Sequence, residues 1–198
     1  ISFFTTDFII LRIKIPYLPR RNIDCIYINK MVFKETNIKD YSPDTFGLKD
    51  KWMLITASKP DGTINTMTAS WGGFGVMWNK EVVFIVIRPQ RYTREFVESS
   101  DTFSLTFFDK SYLKDLGYLG KVSGRDENKI EKTKLTVITN NNIPYFEEAN
   151  NVIFAKKLFV QRIEENAFLD NNIIERWYPE KDFHYLYIAE ITKILVKE

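Results

Sequence analysis

Two short runs collect the residue types that could do chemistry. Residues 65–75, NTMTASWGGFG, place hydroxyl-bearing and small residues ahead of a tryptophan and glycines. Small side chains such as Ala69 let backbone approach a flat ligand closely. Asn65, Thr68 and Ser70 offer hydrogen bonds to a polar heterocycle, and Trp71 offers a stacking face. The same composition also suits a glycine-rich turn whose tryptophan plugs the end of a barrel, and local composition leaves both open. Residues 87–96, IRPQRYTREF, bring a strand ending at Arg88 to Pro89 and start a helix at Arg91, Tyr92 and Thr93. Two guanidinium groups, a hydroxyl and free backbone N–H groups suit a phosphate; a helix capped by Thr93 beside solvated arginines is the plainer alternative. A third patch, KVSGRDENK at 121–129, adds Ser123, Arg125 and Lys129 in a polar loop.

Other catalytic groups are scarce. His184 is the only histidine, so a histidine zinc site or a Cys/His dyad is excluded by count, and its place inside an expected strand, FHYLYIAEI, favours a structural role. The paired carboxylates Glu147/Glu148 and Glu164/Glu165 are adjacent, so in extended chain they point to opposite faces and do not form an acid/base pair. The single cysteine, Cys25, forms no internal disulfide or thiolate cluster, which points to a reducing compartment and a cytoplasmic location. No metal site is expected, no side chain is assigned a catalytic role, and the chemistry is expected to come from a cofactor.

Around these runs the chain reads mainly as short strands. Residues 52–58 and 63–70 form a hairpin around KPDGT, and VVFIVIR at 82–88 is an apolar strand stopped by Pro89. Residues 91–100 suit a short amphipathic helix, 102–108 resume the strand pattern, and 110–119 offer a second helix that Gly120 ends. Strands return at 151–165 and 184–198. Six or more strands with two or three inserted helices predict a mainly β domain, a closed or nearly closed β-barrel with Greek-key connections.

The composition of the 198 residues is that of a packed globular protein, 44% hydrophobic and 27% charged. The net charge of +2 is unevenly spread. Residues 1–30 hold five basic and two acidic side chains and begin without methionine, whereas Met31 reads as an ordinary start. The expected division is therefore a non-native or disordered extension, 1–30, and one domain, 31–198. Residues 31–198 carry a net −1, which removes the electrostatic case for nucleic acid or an anionic membrane. Charges at Asp7, Arg12 and Lys14 also interrupt the only long apolar opening.

In order and spacing, TMTASWGG, IRPQRYT, SGRDENKIEKTKL and HYLYIAEI resemble the flavin reductase-like family, which includes the flavoredoxins, over residues 48–195. The resemblance implies an FMN-binding split barrel of Greek-key topology. It also implies a homodimer with FMN near the subunit interface, passing electrons between NAD(P)H or a redox protein and an acceptor. Thr68, Ala69, Ser70 and Trp71 would line the isoalloxazine ring, and Asn65 would also bind the cofactor. Arg88, Arg91 and Thr93, with Tyr92 between, would hold the phosphate, and Ser123 and Lys129 would close over the flavin. No GxGxxG fingerprint is present, so nicotinamide would bind against the flavin itself. The competing expectation is a non-enzymatic, oligonucleotide-binding type of barrel that stacks bases on Trp71, Phe74, Trp78 and Tyr92; the net −1 weighs against it.

Overall fold

Apolar runs bounded by turn residues become strands here, and a computed structural model describes residues 32–198. Residues 1–30, with Cys25 and the expected extension, lie outside the described residues. The strands are β1 (Phe33–Thr36), β2 (Met53–Ser58), β3 (Ile64–Ala69), β4 (Gly72–Met77), β5 (Lys80–Ile87), β6 (Thr102–Phe107), β7 (Val137–Asn140), β8 (Ile143–Phe146), β9 (Asn151–Arg162) and β10 (Tyr185–Lys197). The helices are α1 (Leu48–Lys51), α2 (Thr93–Ser99), α3 (Leu113–Lys121) and α4 (Asn171–Trp177).

The main sheet is antiparallel and runs β3-β2-β6-β9-β10-β5-β4. Strand β10 is its spine. Residues Tyr185 to Glu190 pair with β5 on one side, Ile194 to Lys197 pair with β1, and β9 lies along the other side with bulges at Ile188/Ala189 and Ile191/Lys193. Bulges sharpen twist, which lets a long strand serve two neighbours in turn. The strands at the two ends of the order, β3 and β4, are consecutive in the chain with only Ser70 and Trp71 between them. Met67 of β3 and Phe74 of β4 nevertheless pack on the same buried cluster, with Ile55, Ile85, Leu105, Ile153 and Tyr187. The sheet therefore curls around one core. Among the described residues no ladder joins β3 to β4, so the barrel is nearly closed rather than closed, in keeping with the expected split barrel.

A second buried cluster covers the sheet's other face. Leu116 and Leu119 of α3 and Tyr145 and Phe146 of β8 pack there on Leu54, Val152 and Phe154. The elements expected from sequence do not include β1, α1, β4, β7, β8 or α4. Asn141 and Asn142, both at positive φ (49° and 64°), turn the β7–β8 hairpin. Residues 72–77, expected as glycine-rich turn, are strand β4, which returns through Trp78 and Asn79 at φ 54° and 57°. Such two-residue turns match the right-handed twist of their strands. Gly120 also corrects an expectation: α3 runs past it to Lys121. Its glycine serves close approach, because a Cβ there would stand 3.0 Å from the Thr68 Cβ. No helix of the described residues is long and apolar enough to cross a membrane.

Gly72 governs how β4 leaves Trp71. Its φ is 153°, and a Cβ would lie 2.5 Å from the backbone oxygen of Phe84 on β5. Gly72→Ala is expected to lower stability by about 2–3 kcal/mol through strain and overpacking. Gly73→Ala, whose Cβ would meet only Thr45 at an ordinary 3.8 Å, should stay near wild type. Urea unfolding of the two variants checks this, and equal losses would mean that the Gly72 backbone is not the constraint.

Candidate functional site

Where β3 gives way to β4, the chain borders a cleft of about 330 Å³. The β2–β3 register stops at Ala69 and the β4–β5 register starts at Gly72, so Ser70 and Trp71 lie outside both ladders. Strand periodicity supplies the neighbouring wall: Val83, Ile85 and Ile87 point into the core, which leaves Val86 and Arg88 facing the cleft. Thr68, Ala69, Ser70, Trp71, Arg88 and Arg91 all line it. The other five expected residues do not. Asn65 and Thr93 are buried, with the Asn65 amide donating to the Thr93 hydroxyl at 3.1 Å, which ties the start of α2 to β3. Tyr92 packs edge-on to Phe96 at 4.9 Å beneath the Arg125 guanidinium at 4.5 Å. Ser123 accepts the Arg125 backbone N–H at 3.2 Å and closes a turn. Lys129 is buried behind α3.

The C-terminal end of α3 gathers cations. Arg91 donates to the Gly120 carbonyl at 2.7 Å, and the Lys129 ammonium donates to the carbonyls of Leu119 and Val122 at 2.8 and 3.0 Å. Carbonyls left open at a helix C-terminus attract positive charge. Burial, reinforced by the charge of Arg91, pulls the Lys129 ammonium down to about 8, and burial lowers Arg91 as well. Among the described residues neither forms an ion pair with a carboxylate. The two charges therefore stand side by side without an anion.

Arg88 is engaged differently. One arm of its guanidinium donates to the Asp182 carboxylate and the other to the Trp177 carbonyl at 2.8 Å, while Gln90 donates to the same Asp182 oxygen at 2.6 Å. Thr68, too, is occupied, its hydroxyl donating to the Leu116 carbonyl of α3.

Sequence reasoning missed Trp177, and it did not place His184 at the cleft. The Trp177 indole meets Trp71 edge-on at 5.1 Å, and His184 lies 5.2 Å from the Trp71 ring. His184 stands just before β10 rather than within it, and its Nδ1 is 2.9 Å from the Tyr178 hydroxyl. Burial first, then the charge of Arg88, pull the imidazole down to about 4, so it is neutral at neutral pH. A local signal for α4 exists in DNNIIERW, because Asp170 caps the helix by accepting the Asn172 N–H at 3.0 Å. The four aromatics of the base-stacking alternative are dispersed among separate contacts: Trp71 on Trp177, Phe74 on Phe107, Trp78 on Phe159 and Tyr92 on Phe96. A wider hollow of about 790 Å³ near α1 shares no residue with the cleft, and its Asp44 and Lys51 neutralise each other at 2.6 Å.

Residues 47–198 match the family described as flavin reductase like domain. A protein of Archaeoglobus fulgidus called uncharacterized is 27% identical over 131 residues, 66% of this chain, and the chain spans only 64% of that relative's length. Among solved structures, flavoredoxin of Desulfovibrio vulgaris (Miyazaki F) aligns with TM-score 0.58 and 21% identity over 74% of this chain and 69% of its own. Flavoredoxin from Methanosarcina acetivorans gives 0.60 and 18% over 80% and 74%. An FMN-binding domain of a flavin reductases-like enzyme from Shewanella baltica OS155 gives 0.60 and 16% over 84% and 78%.

The neutral His184 carries a pH dependence whose sign follows from its surroundings. Its folded value, about 4, lies below the ordinary 6.5. As pH falls the unfolded chain takes up this proton first, so the contribution to stability is complete above pH 6.5 and is lost between 6.5 and about 4. His184→Gln should show a shallower loss of unfolding free energy across that window than wild type. Parallel curves would place His184 in an ordinary solvated environment.

Proposed function

The chain belongs to the flavin reductase-like family, and from that membership we propose that it binds FMN in the cleft beside Trp71 and acts as an oxidoreductase or electron carrier. In this reading electrons pass between NAD(P)H or a protein donor and an acceptor. The observation that carries the proposal is Arg91, which lines a cleft edged by Ala69 and Ser70 and has no carboxylate partner among the described residues, with the buried Lys129 ammonium, likewise unpaired, behind it on the same helix end. A flavin phosphate supplies the missing negative charge, and the small residues admit the flat ring. Bound flavin supplies the redox chemistry. Arg91, backed by Lys129, holds the phosphate; Thr68, Ala69, Ser70 and Trp71 border the ring; neutral His184 and the two indoles keep water from it. Arg88 already serves Asp182 and Trp177, so phosphate recognition centres on Arg91, with the charge of Lys129 behind it.

Binding measurements with FMN and riboflavin test the assignment. A charge-assisted contact is worth about 1.5–3 kcal/mol, so Arg91→Ala should weaken FMN roughly 10- to 150-fold and leave riboflavin nearly unchanged. Trp71→Ala should weaken both together, because stacking acts on the ring they share. Wild-type FMN affinity should also fall as pH rises through about 8, where free Lys129 loses its proton, and Lys129→Met should remove that dependence. Equal losses of both flavins in Arg91→Ala would make the arginine structural and move the phosphate elsewhere.

We also propose a homodimer. Val76 and Trp78 at the β4–β5 turn and Leu158, Phe159 and Val160 on β9 are exposed, with Trp78 and Phe159 6.3 Å apart. β9 loses its β6 partner after Lys156. Apolar side chains beside unpaired strand edges are the kind of surface that a twofold partner covers. Sedimentation at micromolar concentration should give twice the 23.4 kDa chain mass, and Trp78→Glu with Phe159→Glu should give the monomer. A monomeric wild type with flavin bound overturns the dimer.

A further inference from the structure

Helix α4 rests lightly on the rest of the molecule, while Tyr178, Phe183 and His184 in the chain after it are buried. No residue of α4 is buried. Its position over the cleft depends on contacts that start at its last residue, and one side chain supplies two of them. The Arg88 fork reaches the Trp177 carbonyl with one nitrogen and the Asp182 carboxylate with another, bracketing the four residues 178–181. Gln90 adds a second donor to Asp182 at 2.6 Å. Between the bracketed ends, the Tyr178 ring lies 5.3 Å from the guanidinium carbon, and its hydroxyl is 2.9 Å from Nδ1 of His184. A guanidinium is planar and presents its donors in a fixed geometry, so it sets the spacing of what it bridges; a lysine ammonium does not.

The consequence lies one contact further on. Holding the Trp177 carbonyl fixes where its indole sits, and that indole meets Trp71 edge-on with centroids 5.1 Å apart and planes at 82°. Van der Waals contact on both faces of an inserted ring needs about 7 Å, so no ring enters between the two indoles in this arrangement. Trp177 is therefore a backstop for Trp71 rather than the second half of a sandwich. We propose that Arg88 is a positioning residue: by clasping Trp177 and Asp182 it sets the orientation of the Trp71 indole that borders the cleft. The clasp stands on the protein's own contacts, and its effect on ligand rests on the reading of the cleft as a flavin site.

The test separates these two levels. Two indoles this close and nearly perpendicular couple excitonically, so the flavin-free protein should show a far-UV circular dichroism couplet that Trp71→Phe and Trp177→Phe each remove. Arg88→Lys keeps the charge and loses the fork; Asp182→Asn keeps the shape and removes the ion pair. Both should reduce the couplet while the rest of the spectrum and cooperative unfolding remain. With flavin, Arg88→Lys should weaken FMN and riboflavin by the same factor, roughly 2- to 10-fold, the scale of a stacking contact. A couplet unchanged in both variants overturns the clasp. A loss confined to FMN overturns the positioning role and makes Arg88 a phosphate ligand. If wild type binds neither flavin, the proposed function fails, and the couplet still decides the clasp.

Discussion

Only Ser70 and Trp71 connect β3 to β4, although these strands stand at opposite ends of the hydrogen-bonded order. Two residues span too short a distance for the ends of a flat sheet, so the sheet has to curl until its ends nearly meet. The curl encloses the core, and the crossing leaves a short piece of backbone outside either ladder. Gly72 makes the crossing feasible, because its conformation and the Phe84 carbonyl beside it leave no place for a side chain. The cleft is the exterior consequence of the same crossing, and the α3 cations and the α4 segment are arranged around it.

Three cationic side chains near this crossing have different fates, decided by what each meets. Arg88 finds Asp182 and is neutralised within the fold. Arg91 and Lys129 find helix carbonyls, which accept hydrogen bonds but carry no full negative charge. The uncompensated positive charge makes this corner of the cleft suited to an anion, and burial first, then the charge of Arg91, lowers Lys129. Structure in the α4 segment follows a different logic: no residue of the helix is buried, and the chain after it is held by polar contacts to Arg88 and Gln90 together with the buried rings of Tyr178 and Phe183.

Much of the fold was legible because its signals are local. Pro60 and Gly62 at the turn, with apolar residues on both sides, were enough to place the β2–β3 hairpin, and the 82–88 run and the Phe96/Val97 face of α2 were equally plain. The β4 strand was not, since GGFGV lacks the β-branched and aromatic density by which strands are recognised and forms one only because β5 lies alongside it. Gly120 looked like a helix end and proved to be a contact with Thr68, a residue 52 positions earlier in the chain.

The same distinction divides the site. Sequence alone determined the family resemblance, the order of its motifs and six residues that line the cleft, because neighbours along a strand or turn reach the same place whenever the strand forms. Tertiary structure alone decided that Arg88 would pair with Asp182, 94 residues away, that Arg91 and Lys129 would meet at one helix terminus, and that Trp177 and His184 would face Trp71. Charge and hydrogen-bonding capacity are written in residue types, but whether they are spent inside the fold or left for a ligand depends on which distant partner the folded chain brings within about 3 Å.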